Sequence, residues 1–185
     1  MSGLALEGRD RARPHDDLSG AETRGLTVII SRDGTRLRRA DFEREEELEA
    51  VVRDFAPDLF GSSVVYIGQP TITTGDGRTT VPDAIVIDLE ARTWFLVEVE
   101  LARHGIWEHI APQVSRQLAA AGSDTTLERL LDKALEAISR DARLQALLQE
   151  LGIPQIDIHG HVRSILQRPP VVAIPIDAVP QDLQD

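Results

Sequence analysis

Three carboxylates on two neighbouring strand-like runs carry the chemistry this sequence offers. Asp83 leads into the apolar run Ala84-Ile85-Val86-Ile87, and Glu98 and Glu100 alternate with valines at the end of TWFLVEVEL, Thr93 to Leu101. Successive side chains of a strand point to opposite faces, so Trp94, Leu96, Glu98 and Glu100 share one face and Phe95, Val97, Val99 and Leu101 the other. Asp83, Ile85, Ile87 and Leu89 share a face in the same way. A solvated sheet face is polar along its whole length, whereas here the two glutamates continue a face that begins with Trp94 and Leu96. The short link Glu90-Ala91-Arg92 makes the two runs a hairpin. With Ala91-Arg92 as its loop, Asp83 lies opposite Glu100; with Glu90-Ala91, it lies opposite Glu98. In both cases the three carboxylates share a face, with opposed Cβ atoms about 4.5–5.5 Å apart. A three-residue loop would shift the register by one and leave Asp83 between Glu98 and Glu100.

Two like charges about 4 Å apart repel by about 4 kcal/mol at an effective dielectric near 20. A cluster of this kind either raises its own pKa values or holds a cation. Hard oxygen donors, with no cysteine in the chain and no close histidine pair, suit Mg²⁺ or Mn²⁺ rather than Zn²⁺. The competing signal is ELARHGIWEHIAPQ, where His104 and His109 stand five apart with Glu108 beside the second. The HExxH zinc pattern needs its histidines four apart, on one helical face. A zinc hydrolase built on these residues is therefore the lesser alternative. His159 and His161 flank Gly160 and have no evident partner. No GxxxxGK[ST] or GxGxxG occurs, so a nucleotide cradle has no support, and no Ser/His/Asp arrangement with a nucleophile elbow is present. Aromatic residues make up only 4% of the chain, too few for a base-stacking platform. Trp94 and Trp107 read as core or interface aromatics.

The elements that must position these groups follow from periodicity. Residues 1–25 show no hydrophobic period and read as a mobile arm, leaving 26–185 as a single domain. Leu26 to Ile30 is a short strand before the turn Asp33-Gly34, with Arg32, Arg36, Arg38 and Arg39 forming the densest basic cluster. DFEREEELEAVVRDF, Asp41 to Phe55, is an amphipathic helix with Asp41 as N-cap, acids in its first turns and an apolar stripe of Leu48, Val51, Val52 and Phe55. Glu45, three residues before Leu48 and seven before Val52, shares the buried side, and Glu49 takes its place if the face is turned. Pro57 stops this helix. Val64 to Ile67, Thr71 to Thr73 and Thr79 to Val81 are strands, the last two joined by Gly75-Asp76-Gly77. A helix from Gly105 to Ala121 has Ile106, Ile110, Val114 and Leu118 in line. A second helical stretch, Thr125 to Leu151, aligns Leu127, Leu130, Leu131, Leu135 and Ile138. A last helix lies near Ile158 to Leu166, and Val171 to Ile176 is a closing buried strand. The fold class expected is α/β, a mixed central sheet flanked by helices.

Composition bounds the function. The chain has 185 residues and a net charge of −11 from 31 acidic and 20 basic side chains. Nineteen of those 20 are arginine, and Lys133 is the one lysine. The acidic balance argues against tight, non-specific nucleic-acid binding by phosphate neutralisation alone, though not against phosphate chemistry through metal ions. The absence of cysteine excludes disulfides, thiolate zinc sites and cysteine nucleophiles. No apolar run reaches the roughly 18 residues of a membrane span. The N-terminal MSGLALEGRDRARPHDD lacks the apolar segment of a signal peptide, so a cytoplasmic location is expected.

Pro82-Asp83, a β-hairpin and then Glu98-Val99-Glu100 followed by a helix resemble the PD-(D/E)XK nuclease superfamily with its restriction-endonuclease-like fold. The preceding helix and its exit, EREEELEAVVRDFAPDLFG, resemble the helix that opens that core. The likeness covers roughly residues 41–121 and the closing strand. It departs at one position, where Glu100 stands in place of the family's lysine. The resemblance implies a Mg²⁺- or Mn²⁺-dependent hydrolase cleaving phosphodiesters, DNA rather than RNA, with metal-activated water. It implies Asp83, Glu98 and the Val99 carbonyl as metal ligands, with Glu100 activating water or bridging a second ion. Glu45 would reach the metal's water shell from the first helix. Gln113 and Gln117 would stand where the family often keeps a polar residue near the site, and Gln113 is counted among the catalytic group. Glutamate can accept a proton or hold a second metal but supplies no positive charge, which favours two metals over one. The partners expected are nucleic acid and a second copy of the chain, with no membrane. The alternative is a catalytically inactive module of the same fold that binds protein or nucleic acid in a defence or repair system.

Overall fold

The structure, a computed structural model, describes residues 28–30, 36–38, 42–104 and 106–178. It divides into two units, Met1–Ala40 and Asp41–Asp185. In the first, β1 (Val28–Ile30) pairs antiparallel with β2 (Arg36–Arg38), Ile29 opposite Leu37. This unit takes in the strand that the sequence reading attached to the main domain. The arm 1–25, the turn at Asp33-Gly34 with Arg32, the cluster's Arg39 and the cap Asp41 lie outside the described residues.

The second unit is a mixed sheet of order β3-β6-β7-β8 flanked by helices. Strands β3 (Val64–Gly68), β6 (Ala84–Asp88) and β7 (Thr93–Val97) run antiparallel in turn, and β8 (Val171–Ala173) adds parallel to β7. A parallel neighbour needs a long crossover, and helices α3 (Ile106–Ala121), α4 (Asp124–Arg140), α5 (Ala142–Glu150) and α6 (Ile158–Leu166) supply it. The two faces alternate as the strand pattern requires. Ile85, Ile87, Trp94 and Leu96 pack with Leu130, Leu131, Leu148 and Ile165 from the crossover helices. On the other face, Ala84, Val86, Val97 and Val99 pack with Leu48 and Val52 of α1 (Glu45–Asp54). Both faces are covered, so β6 is buried at every position.

Several expectations are corrected. The first helix begins at Glu45, not Asp41, and Arg44 at its N-cap makes no side-chain cap bond. Its stripe is narrower than expected: Leu48 and Val52 are buried, but Val51 and Phe55 are 38% and 54% exposed. Pro57 does not end helical structure but starts a new turn, α2 (Ala56–Phe60), where a missing N–H costs nothing. The stretch 125–151 is two helices, broken at Asp141, whose carboxylate accepts from the Arg143 and Leu144 N–H groups and caps α5. The closing strand is a half-exposed sheet edge rather than a buried one, with Val171 48% exposed. Strands β4 (Ile72–Thr73) and β5 (Thr79–Thr80) form a separate two-stranded ribbon packed on α3. Among the described residues no helix is long and apolar enough to cross a membrane.

Candidate active site

The hairpin register is set by Asp88. Its Oδ1 accepts from the Glu90 and Ala91 N–H groups at 3.0 Å each and from Ser63 Oγ at 2.6 Å. These bonds close the turn over Leu89 to Arg92, with Arg92 in the left-handed region at φ 55°. Ala84 then pairs with Val97, so continuing that register by one step sets Asp83 against Glu98, one of the three registers open in the sequence. The next step sets Val99 against Pro82. Proline has no N–H, so the Val99 carbonyl finds no ladder donor there. The Val99 N–H also leaves the ladder and donates to Asp83 Oδ2 at 2.7 Å. The β6–β7 ladder therefore ends at Pro82 with a carboxylate and a carbonyl in place of a regular bond pair, while the pairing with the β8 side runs on to Glu100 and Ile176.

Glu98 is 5% exposed and held from α3. Gln113 Nε2 donates to Glu98 Oε2 at 2.6 Å and Gln117 Nε2 to Oε1. On α3 Ile110, Gln117, Ala120 and Ala121 are buried and Gln113 and Val114 half-buried, whereas Leu118, expected on the apolar line, is 40% exposed. The resemblance puts Gln117, with Gln113, near the site. Gln117 is fully buried, and its Oε1 is without a hydrogen-bond partner. Burial, and next the charge of Asp83, push the Glu98 carboxyl up to about 7, against the pull of the Gln117 amide. Burial and the Glu45 charge raise Asp83, opposed by the Val99 N–H.

Helix α1 brings more acid to the same place. Glu45 and Glu49 are one turn apart and both half-buried, a like-charge pair that a helix keeps at a cost. Glu49 lines a cleft of about 310 Å³ with Asp83, Tyr66, Gly68, Gln69 and Arg53. Burial and the Asp83 charge raise Glu49, while Gln69 Nε2 donates to it at 3.5 Å. Gln69 escaped notice in the sequence. Its backbone takes φ 44°, and its N–H donates to the Asp83 carbonyl at 2.9 Å. A non-glycine held in that region stores strain of the kind common at functional sites. Burial and the Glu49 charge likewise raise the Tyr66 hydroxyl.

Glu100 belongs to this field, since its charge raises Glu98, but its Oε1 turns to the Leu101 N–H at 3.1 Å. The expected convergence of three carboxylates is thus incomplete. Among the described residues no three acid or imidazole side chains gather closely enough to hold an ion. The reason lies in their bonds: the α3 amides hold Glu98, the Val99 N–H holds Asp83, and mutual repulsion spreads like charges that have other partners. The donor set still fits a hard cation. It is all oxygen, it carries buried negative charge in excess, and the Gln117 amide oxygen beside it is an orphaned acceptor.

The other candidates stand apart. Lys133 is exposed on α4. His161 Nε2 is bonded with the Leu89 carbonyl at 2.9 Å, a structural contact with the hairpin turn. Trp94 is a core residue whose Nε1 donates to the Arg168 carbonyl. The side chains of His104, Trp107, Glu108 and His109, and so the zinc pattern, lie outside the described residues. No protein-family model, curated protein or solved structure matches this chain.

Proposed function

We propose that this protein is a divalent-metal-dependent phosphodiesterase of the PD-(D/E)XK, restriction-endonuclease-like type, cleaving DNA in preference to RNA. One observation carries the proposal: Asp83 and Glu98 are the next residues beyond Ala84 and Val97, the last pair of the β6–β7 ladder, with the Glu98 carboxyl pushed up to about 7 by burial and by Asp83. Buried acids destabilised by each other's charge are a mark of sites whose charge is completed by something bound.

Asp83, Glu98 and the Val99 carbonyl would hold Mg²⁺ or Mn²⁺. When bound, the cation would offset charge on the phosphate and make water a better nucleophile. The chain's own groups supply orientation and proton transfer. Gln113 and Gln117 fix both Glu98 oxygens from α3, as outer partners fix metal ligands elsewhere. The Val99 N–H fixes Asp83. Glu100 accepts the proton of the attacking water, and Glu45 and Glu49 strengthen the local negative field. Glu100 offers no positive charge to the phosphate, which favours two cations over one.

Isothermal titration of Mn²⁺ tests the ligand set: the wild type binds and Asp83→Ala loses the binding. A plasmid cleavage assay in Mg²⁺ and Mn²⁺ tests the reaction. Glu98→Ala is expected to lose at least about 100-fold, since even outer partners of a metal site are worth 10- to 100-fold. Absence of Mn²⁺ binding in the wild type would end the proposal. The second reading, a non-catalytic module of the same fold, draws on Glu100 in the lysine's place, and no cleavage by either protein would favour it.

A further inference from the structure

We infer that the cleft between the β4–β5 ribbon and the outer side of α3 is the track for the phosphate backbone of the DNA, three residues from the acidic site. This rests on the proposed nucleic-acid substrate and names the surface that would hold it. The cleft, about 490 Å³, is lined by Thr74, Asp76, Arg78, Thr79 and Thr80 of the ribbon and by Ser115, Arg116 and Ala119 of α3. Two guanidiniums and several hydroxyls are the donors that phosphate oxygens take, and backbone contacts of this type position a duplex without reading its sequence. One acid stands among them, Asp76, 3.3 Å from Arg78; both are largely exposed, so the pair is weak.

Placement gives the cleft its meaning. Helix α3 turns Gln113 and Gln117 inward to Glu98 while Ser115 and Arg116, between them in sequence, line the cleft. From the other wall, β5 ends at Thr80, and Val81-Pro82 link it to Asp83, where the chain bends. Three residues reach at most about 10 Å, so the cleft and the acidic site are within that distance along the chain. A strand seated in the cleft would therefore bring a phosphate to Asp83 and Glu98 within a few nucleotides.

The ribbon is also anchored more firmly than two-residue strands need for themselves. The Thr73 N–H donates to Thr126 Oγ1 at 2.9 Å, and Ser123 Oγ and Thr126 Oγ1 both donate to the Thr73 carbonyl. Arg129 Nη1 donates to Thr73 Oγ1 at 3.0 Å, and Thr126 is fully buried. This network locks one wall of the cleft to the α3–α4 junction.

The experiment measures the anisotropy of a labelled DNA duplex in Ca²⁺ over a salt series. Arg78→Ala/Arg116→Ala is expected to bind at least about 10-fold more weakly, with the slope of log K against log salt shallower by about 1.8, as two lost phosphate contacts require. Arg78→Lys/Arg116→Lys should recover most of the affinity. Arg140→Ala/Arg163→Ala, which changes net charge equally on α4 and α6, should stay near wild type. Equal loss in that control, unchanged binding in the alanine pair, or no duplex binding by the wild type would each overturn the track. Cleavage is scored separately. A wild type that binds through these arginines but does not cut in Mn²⁺ keeps the track and removes the enzyme; cutting that ignores the alanine pair does the reverse.

Discussion

Glu98 joins an energetic liability to a specific support. Its proton is held more tightly in the folded chain, near pH 7, than in the unfolded one, near 4.5. The folded state therefore carries the extra proton between those values, and stability falls as pH rises from about 4.5 to about 7, then levels. The loss is on the order of 3 kcal/mol, and Asp83 and Glu49, raised in the same direction, add to it. Urea unfolding of the metal-free protein at pH 5 and pH 8 should show the acidic sample to be the more stable. Glu98→Gln should flatten that difference, and a slope untouched by this change would assign it elsewhere. Gln117 works against the liability. Removing its amide in Gln117→Ala takes a donor from a charged acceptor and should cost about 1.5–3 kcal/mol at pH 8 and less at pH 5, where Glu98 is protonated. A cost independent of pH would make Gln117 a packing residue only.

At the level of elements, what could be read from sequence depended on whether an element is specified by its own residues. Helix α6 is found over Ile158–Leu166 as its apolar period predicts, and the β6 and β7 faces divide as the alternation requires. The phase of α3 was not legible, because its inward line contains two glutamines whose partner, Glu98, comes from another element. The break at Asp141 was hidden for a similar reason: the apolar spacing continues across it, and only a capping carboxylate marks the stop. At the site, Asp83, Glu98 and the choice between Glu45 and Glu49 were visible from spacing. Gln69 was not, since nothing local announces a left-handed backbone at a glutamine. The hairpin register is open among three values in the sequence, because the bonds of Asp88 that close the turn involve Ser63 from outside the hairpin. That turn makes a prediction of its own. Gly61 has φ 113°, and a Cβ there would stand 2.8 Å from Asp88 Oδ2. Gly61→Ala should strain the backbone and push Asp88 off the Glu90 and Ala91 N–H groups, costing about 1–3 kcal/mol. Amide exchange at Glu90 and Ala91 should accelerate in the variant; protection at wild-type level would mean that other bonds hold the register.

For the whole molecule, the difficulty is a chain of net charge −11 acting on a polyanion. Long-range repulsion slows and weakens such an encounter, and the two cleft arginines offset only part of it. Bound cations would both cancel the acids around Asp83 and join the protein to the phosphate, so metal and DNA should bind with positive coupling. Thermal unfolding checks the first half. A cation at 100 times its dissociation constant stabilises by about 2.7 kcal/mol, which for a domain of this size raises Tm by roughly 5–10 °C. Mn²⁺ should give this rise in the wild type and none in Asp83→Ala. Duplex affinity checks the second half, and by linkage the factor by which Ca²⁺ tightens DNA equals the factor by which DNA tightens Ca²⁺. EDTA should therefore weaken the wild type to the level of Asp83→Ala measured in Ca²⁺. Duplex binding equally tight in EDTA and in Ca²⁺ would separate the acidic site from the phosphate, and the carboxylates would then need an explanation without nucleic acid.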